Sequence, residues 1–282
     1  MKFGAHVSIA GGITNAPFRA YKLGCECFQI FSRSPQGGKP PQLDSKTVES
    51  FSIECFKYNF SDYHIHTPYY INLASKDPEI RFASQSIIKE EIERGNLISA
   101  KYVVTHLGST SELGEAQGLV AVIDGLKRVI NSNTYSTKLL IENSAGQGST
   151  LGDRFEILAE ILYKVGHLDI GICLDTAHLF ASGYDISTEE AVIKILNEFS
   201  RIVGLDRLKL FHGNDSKVGL GERKDRHEHI GKGKIGIEGF RAIVNEPSLK
   251  NLDIIIETPW EKVADDIENL KKLKVLKKKE IS

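Results

Sequence analysis

Histidine and acidic side chains recur in this chain directly after short runs of β-branched and aromatic residues. Six successive runs end this way, the first at His64-Ile65-His66 and the last at Ile256-Glu257. Chance would place one or two such residues at run ends, so six in succession indicate a shared site. The candidate residues are His66, His106, Glu142, Asp175, His178, His212, Asp225, His227 and Glu257.

This set combines imidazoles with carboxylates and contains no thiolate. Such a donor set suits Zn²⁺, and less specifically Mn²⁺ or Fe²⁺, whereas Mg²⁺ and Ca²⁺ prefer oxygen ligands alone. Nine donors exceed what one tetrahedral ion can use, so the set predicts two or three ions. Clustered divalent ions stabilise both the attacking and the leaving oxygen in phosphoryl displacement. The residues alone therefore predict a multi-metal hydrolase, with a phosphodiester as the favoured bond.

Eight strand-like runs must position these residues, and helix-like stretches alternate with them. The expected strands are Lys2–Ile9, Cys25–Ser32, Phe60–Thr67, Tyr102–Leu107, Lys138–Asn143, Ile170–Asp175, Leu208–His212 and Leu252–Thr258. The clearest amphipathic segments are Pro78–Ala100, Glu115–Asn131, Asp153–Val165, Thr188–Val203 and Trp260–Leu276.

Alternation of strands and helices predicts a parallel sheet. Eight units in 282 residues predict an α/β fold, a closed (β/α)₈ TIM barrel that forms a single domain over residues 1–282. Its active site would lie at the carboxyl ends of the strands, where the candidate residues fall. The alternative is an open, doubly wound sheet, although no GxGxxG turn follows the first strand.

Composition excludes several classes of protein. A chain with 41% hydrophobic and 26% charged residues is globular rather than disordered or collagen-like. Its amino terminus lacks the features of a signal peptide, and no apolar run is long enough to cross a membrane. The four cysteines form no CxxC pair, so we expect reduced thiols in a soluble, cytoplasmic protein. A net charge of −1 argues against a broadly basic nucleic-acid coat but leaves room for a local basic patch.

Seven segments carry a resemblance to a known family. They are GAHVSIAGG (4–12), HTPYYINLAS (66–75), IENSAGQG (141–148), CLDTAHLFASGYD (173–185), HGNDSK (212–217), DRHEHIGKGKIG (225–236) and ETP (257–259). Because they occur in order over nearly the whole chain, the sequence resembles the endonuclease IV family of zinc-dependent apurinic/apyrimidinic-site endonucleases. The resemblance implies a DNA-repair hydrolase that cuts the phosphodiester bond 5′ to an abasic site in duplex DNA. The implied products are a 3′-hydroxyl and a 5′-deoxyribose phosphate.

The resemblance also implies a cofactor of three Zn²⁺ ions, with Mn²⁺ as a substitute at one position. His66, His106 and Glu142 would hold the first ion, and Glu142 would bridge to a second held by Asp175, His212 and Glu257. His178, Asp225 and His227 would hold the third. Glu142, Asp175 and Glu257 are the implied catalytic carboxylates. A hydroxide between the first two ions would attack the phosphate, because zinc lowers the pKa of bound water.

Tyr69 and Tyr70 match the positions of side chains that the family inserts into DNA at the lesion. Such a wedge unstacks a base step, so that the abasic nucleotide can be extruded into a pocket. The implied partner is therefore duplex DNA with abasic or blocked 3′ lesions, bound by a monomer. The loop after the second strand departs from the family, with Gln36-Gly37-Gly38 where Arg and an aromatic residue are common.

The sequence contains two further histidines near the predicted strand ends, and it leaves two alternative functions open. His64 either orients a ligand by hydrogen bond or fills the barrel, and we expect His6 to stay outside the site. A sugar isomerase or epimerase on a xylose-isomerase-like barrel would need fewer ions, and it would have no use for Asp225-Arg226-His227. A non-catalytic binder of DNA lesions would be expected to lack a ligand, and all nine candidates are present.

Overall fold

Eight short parallel strands close into a barrel in this computed structural model, which describes residues 1–130, 135–166, 170–259 and 262–278. The strands are β1 Lys2–His6, β2 Cys27–Phe31, β3 Tyr63–His66, β4 Tyr102–Thr105, β5 Lys138–Glu142, β6 Ile170–Asp175, β7 Leu208–His212 and β8 Asp253–Ile256. The first and last strands pair in parallel, with Lys2 opposite Asp253, so the barrel has no open edge. The predicted (β/α)₈ barrel is confirmed, and the open-sheet alternative is wrong.

Helices follow the strands along the chain and surround them. They are α1 Ala16–Leu23, α2 Ser45–Lys57, α3 Pro78–Ile98, α4 Glu115–Ile130, α5 Phe155–Val165, α6 Thr176–Ser182, α7 Glu189–Ile202, α8 Gly236–Asn245 and α9 Val263–Leu276. Short 3₁₀ turns occupy Ile13–Asn15, Gln147–Ser149, Leu205–Arg207 and Pro247–Leu249. Among the described residues, no helix combines the length and the apolar character that crossing a membrane requires.

All five predicted helical segments contain a helix, and their starts show how side chains set the boundaries. Thr188 precedes α7 as its N-cap, because its side chain accepts a hydrogen bond from the Ala191 amide at 3.2 Å. The predicted start at Asp153 is wrong: α5 begins at Phe155, and the Asp153 carboxylate instead lies 3.2 Å from Arg223 Nη2. The predicted ends Asn131 and Trp260 lie outside the described residues.

Two apolar layers hold the barrel together. Six fully buried side chains fill its interior: Cys27, Val104, Leu140, Cys173, Leu210 and Ile255. A larger cluster lies between strands and helices and includes Ile141. Because successive residues of a strand face opposite sides, Leu140 and Glu142 share the interior face of β5 while Ile141 faces the helices. An interior position at the end of a strand therefore opens into the mouth of the barrel.

Six of the eight strands end earlier than their apolar runs predict, whereas β6 and β7 end at the predicted residues Asp175 and His212. The run Leu252–Thr258 forms a strand only over Asp253–Ile256. Beyond it, the Glu257 amide donates to Asn214 Oδ1 at 2.7 Å rather than to a neighbouring strand. At the first ligand-type residue after β8, a hydrogen bond to the side chain of Asn214 therefore replaces the hydrogen bond to a neighbouring strand.

Candidate metal centre

All nine candidate side chains meet at the mouth of the barrel formed by the carboxyl ends of the strands. Their potential ligand atoms lie within 4.8 Å of one another in overlapping groups, which are His66-His106-Glu142, His66-His212-Glu257, Glu142-Asp175-His212-Glu257 and Asp175-His178-His227. The Asp225 carboxylate joins the last group, 3.2 Å from His178 Nε2 and 3.3 Å from His227 Nε2. The structure thus brings together every residue of the predicted set.

Glu142 lies at the centre of this cluster. It ends β5 on the interior face and is buried, with Oε2 2.9 Å from His66 Nε2 and 3.5 Å from His106 Nε2. Its other oxygen lies 2.8 Å from His212 Nδ1. Burial alone would raise the pKa of the Glu142 carboxyl, but His106 and His212 hold that pKa well below its ordinary value. One carboxylate is therefore shared by two of the groups.

Backbone carbonyls set the orientation of three of the imidazoles. The Nδ1–H groups donate as follows: His66 to Thr67 O at 2.6 Å, His178 to Asn143 O at 3.0 Å and His227 to Glu257 O at 3.0 Å. In each ring, Nε2 is left facing the cluster. Bonding one ring nitrogen to a backbone acceptor fixes the tautomer that leaves the other nitrogen free for a metal.

Asp175 and His178 reach the site through the junction of β6 and α6. Asp175 ends the strand and caps the helix, since its Oδ1 accepts a hydrogen bond from the His178 amide at 2.8 Å. The spacing of three residues places His178 in the first turn of the helix, beside the strand end. Although burial disfavours a charged imidazole, Asp175 and Asp225 raise the pKa of His178 to about 10.

Asp225 and His227 are carried by a loop after β7, which we call the β7 arm (residues 213–236). A short antiparallel pair, Asp215–Ser216 with His227–Glu228, holds the arm to the barrel. The buried Asp215 carboxylate accepts hydrogen bonds from the backbone amides of Gly231, Gly233 and Ile235 at 2.9 to 3.0 Å. A Cβ atom at Gly233 would lie 2.4 Å from Ser216 O, so this close approach requires glycine.

The residues fit divalent metal ions. His227 Nε2 is buried and has no hydrogen-bond partner in the described part of the chain. Burial opposes a charge on His227, but Asp175 and Asp225 raise its pKa to about 9. Carboxylates that hold imidazoles in the protonated form provide the negative charge that a metal would neutralise in place of those protons. Mixed imidazole and carboxylate donors are those that Zn²⁺ uses in catalytic sites.

Tyr69 and Tyr70 follow β3 at the same mouth. Their side chains are 70% and 40% exposed, and Tyr69 packs edge-on against Phe31 with ring centroids 5.1 Å apart. Both tyrosines line a pocket of about 460 Å³ whose wall also includes His106, His178 and Asp225. The two aromatic side chains thus lie beside the predicted metal centre and open to solvent.

The loop after β2 lies on this face as well. A Cβ atom at Gly37 would lie 4.0 Å from Tyr70 Cε1, which places the loop beside the exposed tyrosines. Arg33, at the start of the loop, is buried and pairs with Glu91 at 2.5 Å and with Glu90 at 2.6 Å. Arg33 therefore anchors the loop, and the exposed residues of the loop include Gln36 and Lys39.

The structure corrects the expectation for His6, locates His64, and reveals two amide side chains at the site that the sequence analysis did not predict. His6 does reach the site, contrary to expectation, with Nδ1 3.4 Å from Glu257 Oε1. His64 lies deeper in the barrel, stacked on Tyr102 and 3.3 Å from Asp253. Asn214 and Gln29 were not singled out. Asn214 donates to Asp175 Oδ2 at 2.6 Å and accepts a hydrogen bond from the Glu257 amide. The sequence signal that could have identified Asn214 is its position two residues after the candidate ligand His212.

Fold and site together define a TIM-barrel protein with a cluster of His, Asp and Glu side chains that could hold metal ions at the carboxyl ends of its strands. A family model described as "Xylose isomerase-like TIM barrel" matches residues 18–278. The chain is 40% identical over 274 residues to the probable endonuclease 4 of Carboxydothermus hydrogenoformans, which covers 97% of this chain and 96% of that protein. It is 41% identical over 260 residues to the probable endonuclease 4 of Halothermothrix orenii, covering 92% and 94%. The chain belongs to the endonuclease IV family.

Solved structures agree with this assignment. Endonuclease IV from Thermus thermophilus superposes with a TM-score of 0.87 at 34% identity over 98% of both chains. A D-tagatose 3-epimerase-like protein superposes with a TM-score of 0.76 at 21% identity, covering 98% of this chain and 97% of that one. The second likeness shows the barrel fold alone.

Proposed function

We propose that this protein is a DNA-repair endonuclease that hydrolyses the phosphodiester bond 5′ to an abasic site in duplex DNA. Its products would be a 3′-hydroxyl and a 5′-deoxyribose phosphate. The observation that carries the proposal is the convergence of five imidazoles and four carboxylates in overlapping ligand groups at the barrel mouth. Membership of the endonuclease IV family supports the same reaction.

The proposed cofactor is three Zn²⁺ ions, with Mn²⁺ as a substitute at one position. When bound, such ions polarise phosphate oxygens, activate water near neutral pH and oppose the negative charge that develops during hydrolysis. The holding residues are His66, His106 and Glu142 for the first ion, Glu142, Asp175, His212 and Glu257 for the second, and His178, Asp225 and His227 for the third. Asp175 lies in the third geometric group as well, which makes it a candidate link between the last two positions.

Three carboxylates of the proposed centre are each held in place by different contacts. Glu142 is buried and faces three imidazoles, so it would serve both the first and the second metal position. Asp175 is fixed by the His178 amide and by Asn214, and therefore cannot swing away from the cluster. Glu257 is held through its backbone amide by the same Asn214. Ligands held in this way keep the centre organised before DNA arrives.

Tyr69 and Tyr70 are proposed to enter the duplex at the lesion. The base pairs beside a lesion are stacked on each other, so an aromatic wedge that unstacks this step and bends the duplex would let the abasic nucleotide leave the helix. The adjoining pocket of about 460 Å³ is bounded by His106, His178 and Asp225. An extruded abasic sugar would therefore lie against the proposed metal ligands.

A duplex with a single abasic site tests this function. The zinc-loaded protein is expected to nick only the damaged strand, 5′ to the lesion, and a polymerase should extend the new 3′ end directly. The same duplex with an intact base serves as the control and should remain uncut. An abasic duplex that is bound tightly and left intact would make the protein a lesion binder. Epimerisation of a free ketose without nicking would assign it to the sugar epimerases.

A further inference from the structure

Gln29 lies directly beneath the candidate metal centre. It belongs to β2, two residues after the interior residue Cys27, and its side chain is fully buried. A glutamine amide in the interior of a barrel is costly unless its polar groups are hydrogen-bonded. Its partners therefore indicate why it is there.

One amide connects two of the proposed zinc ligands. Gln29 Oε1 accepts a hydrogen bond from His212 Nε2 at 3.0 Å, and Gln29 Nε2 donates to Glu257 Oε1 at 2.7 Å. The second N–H of the amide donates to His6 Nδ1 at 3.1 Å. Because an ionised carboxylate only accepts hydrogen bonds, Glu257 fixes which end of the amide is nitrogen.

His212 presents the opposite ring nitrogen to the cluster from the three histidines that bond to backbone carbonyls. In His66, His178 and His227, Nδ1–H donates to a carbonyl and Nε2 faces the cluster. In His212, Nδ1 faces the cluster, 2.8 Å from Glu142 Oε1 and 3.2 Å from Glu257 Oε2. Its tautomer therefore depends on an acceptor at Nε2, and a side chain supplies that acceptor.

We propose that Gln29 is a positioning residue for the second metal position, one that fixes the tautomer of His212 and the orientation of Glu257 through a single amide. This inference rests on the metal centre of the proposed function. Gln29 does not touch the reacting atoms in this role, and it acts through the two ligands. His6 supports it from behind, since the His6 ring packs on Phe31 at 4.2 Å between centroids and accepts the remaining N–H.

The substitution Gln29→Met separates this role from simple packing. Methionine has a similar length and flexibility but forms neither hydrogen bond. We expect zinc to bind about 10- to 100-fold more weakly at one position, because loss of a partner behind a ligand commonly has that effect. Competition with a chromogenic chelator measures the affinity, and the visible spectrum of the Co²⁺-substituted protein should change because it reports ligand geometry. The melting temperature of the metal-free protein should stay near that of the parent.

The matched control is Leu210→Met, which introduces the same side chain into the barrel interior two residues before His212. It should leave zinc affinity within about twofold and the Co²⁺ spectrum unchanged, because a volume-conserving swap costs little. A purely structural Gln29 would lower the melting temperature of the Gln29→Met protein without altering the Co²⁺ spectrum. That result, or unchanged zinc affinity in Gln29→Met, would overturn the proposal.

Nuclear magnetic resonance of the unsubstituted, zinc-loaded protein provides a test that does not depend on a variant folding. The His212 ring should carry its proton on Nε2, identified by the signal that His212→Asn loses. A proton on Nδ1 would contradict the proposal. Both measurements are made on Zn²⁺ or Co²⁺ complexes without DNA. If the protein fails to cut abasic DNA, these measurements still test the role of Gln29. If these measurements contradict the role of Gln29, the incision assay still tests the proposed function.

Discussion

Glu142 is the residue on which the proposed centre depends most. Its two oxygens face His66, His106 and His212 from a fully interior position, so its charge serves two ligand groups at once. Each histidine of the cluster, by contrast, offers a single ligand atom. A change at Glu142 should therefore affect two metal positions, whereas a change at one histidine should mainly affect one.

The substitution Glu142→Gln is accordingly expected to lower kcat/KM for an abasic duplex more than His106→Ala does. Loss of a group that merely supports a metal ligand commonly lowers activity about 10- to 100-fold, so loss of a carboxylate shared by two positions should lower kcat/KM about 10²-fold or more. Steady-state incision assays at saturating zinc would measure both variants. Equal losses would show that Glu142 is not shared between metal positions.

Tyr69 should act on DNA rather than on the metals, because its side chain is 70% exposed and sits at the mouth. Stacking between a base and an aromatic ring contributes about 1 to 3 kcal/mol, so Tyr69→Ala should raise KM for the abasic duplex about tenfold or more. Zinc content should not change.

Tyr163→Ala is the matched control, since Tyr163 is 86% exposed on α5 and, unlike Tyr69, does not line the pocket beside the candidate metal centre. Its KM should equal that of the parent protein. A KM shift of similar size in both variants would mean that the loss at Tyr69 is non-specific.

Among the elements, the strands and the candidate ligands follow from the sequence because both depend on local patterns. Interior strand ends of a barrel converge by geometry, so a His, Asp or Glu at each run end is enough to predict a shared site. The β7 arm could not be predicted, because its shape depends on Asp215 binding amides 16 to 20 residues later in the chain. Gln29 was missed for a similar reason: its partners come from β7 and from the end of β8, far away in sequence.

Helix α9 contains a buried aspartate, Asp266, from which we predict how the free energy of unfolding depends on pH. Asp266, in the first turn, accepts a hydrogen bond from Thr258 at 3.3 Å, and burial raises its pKa from 3.8 to about 6. The folded protein therefore binds more protons than the unfolded chain between these two values. The stability contributed by protonated Asp266 is complete below pH 4 and is lost as the pH rises through 6.

The substitution Asp266→Asn should remove the loss of stability that the parent protein shows as the pH rises through 6. The free energy of unfolding of the metal-free variant should match that of the parent near pH 4 and exceed it by about 2 to 3 kcal/mol near pH 7.5. Urea unfolding at a series of pH values measures the difference. Glu268→Gln, an exposed change on the same helix, should leave the slope between pH 5 and 7 as it is. A constant difference between Asp266→Asn and the parent across this range would contradict the assignment.

For the molecule as a whole, the net charge of −1 describes the chain without metals. Three divalent ions would add six positive charges, so that −1 becomes +5, and this charge would be concentrated at the mouth where a phosphate must bind. The same barrel supports epimerase-like proteins, so the fold alone does not set the reaction. In the proposed function, the ions that the nine ligand-type side chains would hold direct this barrel towards a polyanionic substrate.

Removal of zinc should therefore weaken DNA binding as well as abolish cleavage. Fluorescence anisotropy with a labelled abasic duplex, at one fixed salt concentration, would compare the metal-free and zinc-loaded proteins. We expect the metal-free protein to bind about tenfold or more weakly, because charge at the phosphate contact dominates such affinities. Equal affinities would show that side chains alone attract the DNA.

The most direct test of the account is a titration of the metal-free protein with Zn²⁺ in which incision of a duplex with one abasic site is followed. Activity should be absent without zinc and should reach its maximum at about three equivalents per chain, because the proposed centre holds three ions. Incision by the metal-free protein, or a maximum at one equivalent, would contradict a centre in which the nine side chains act together.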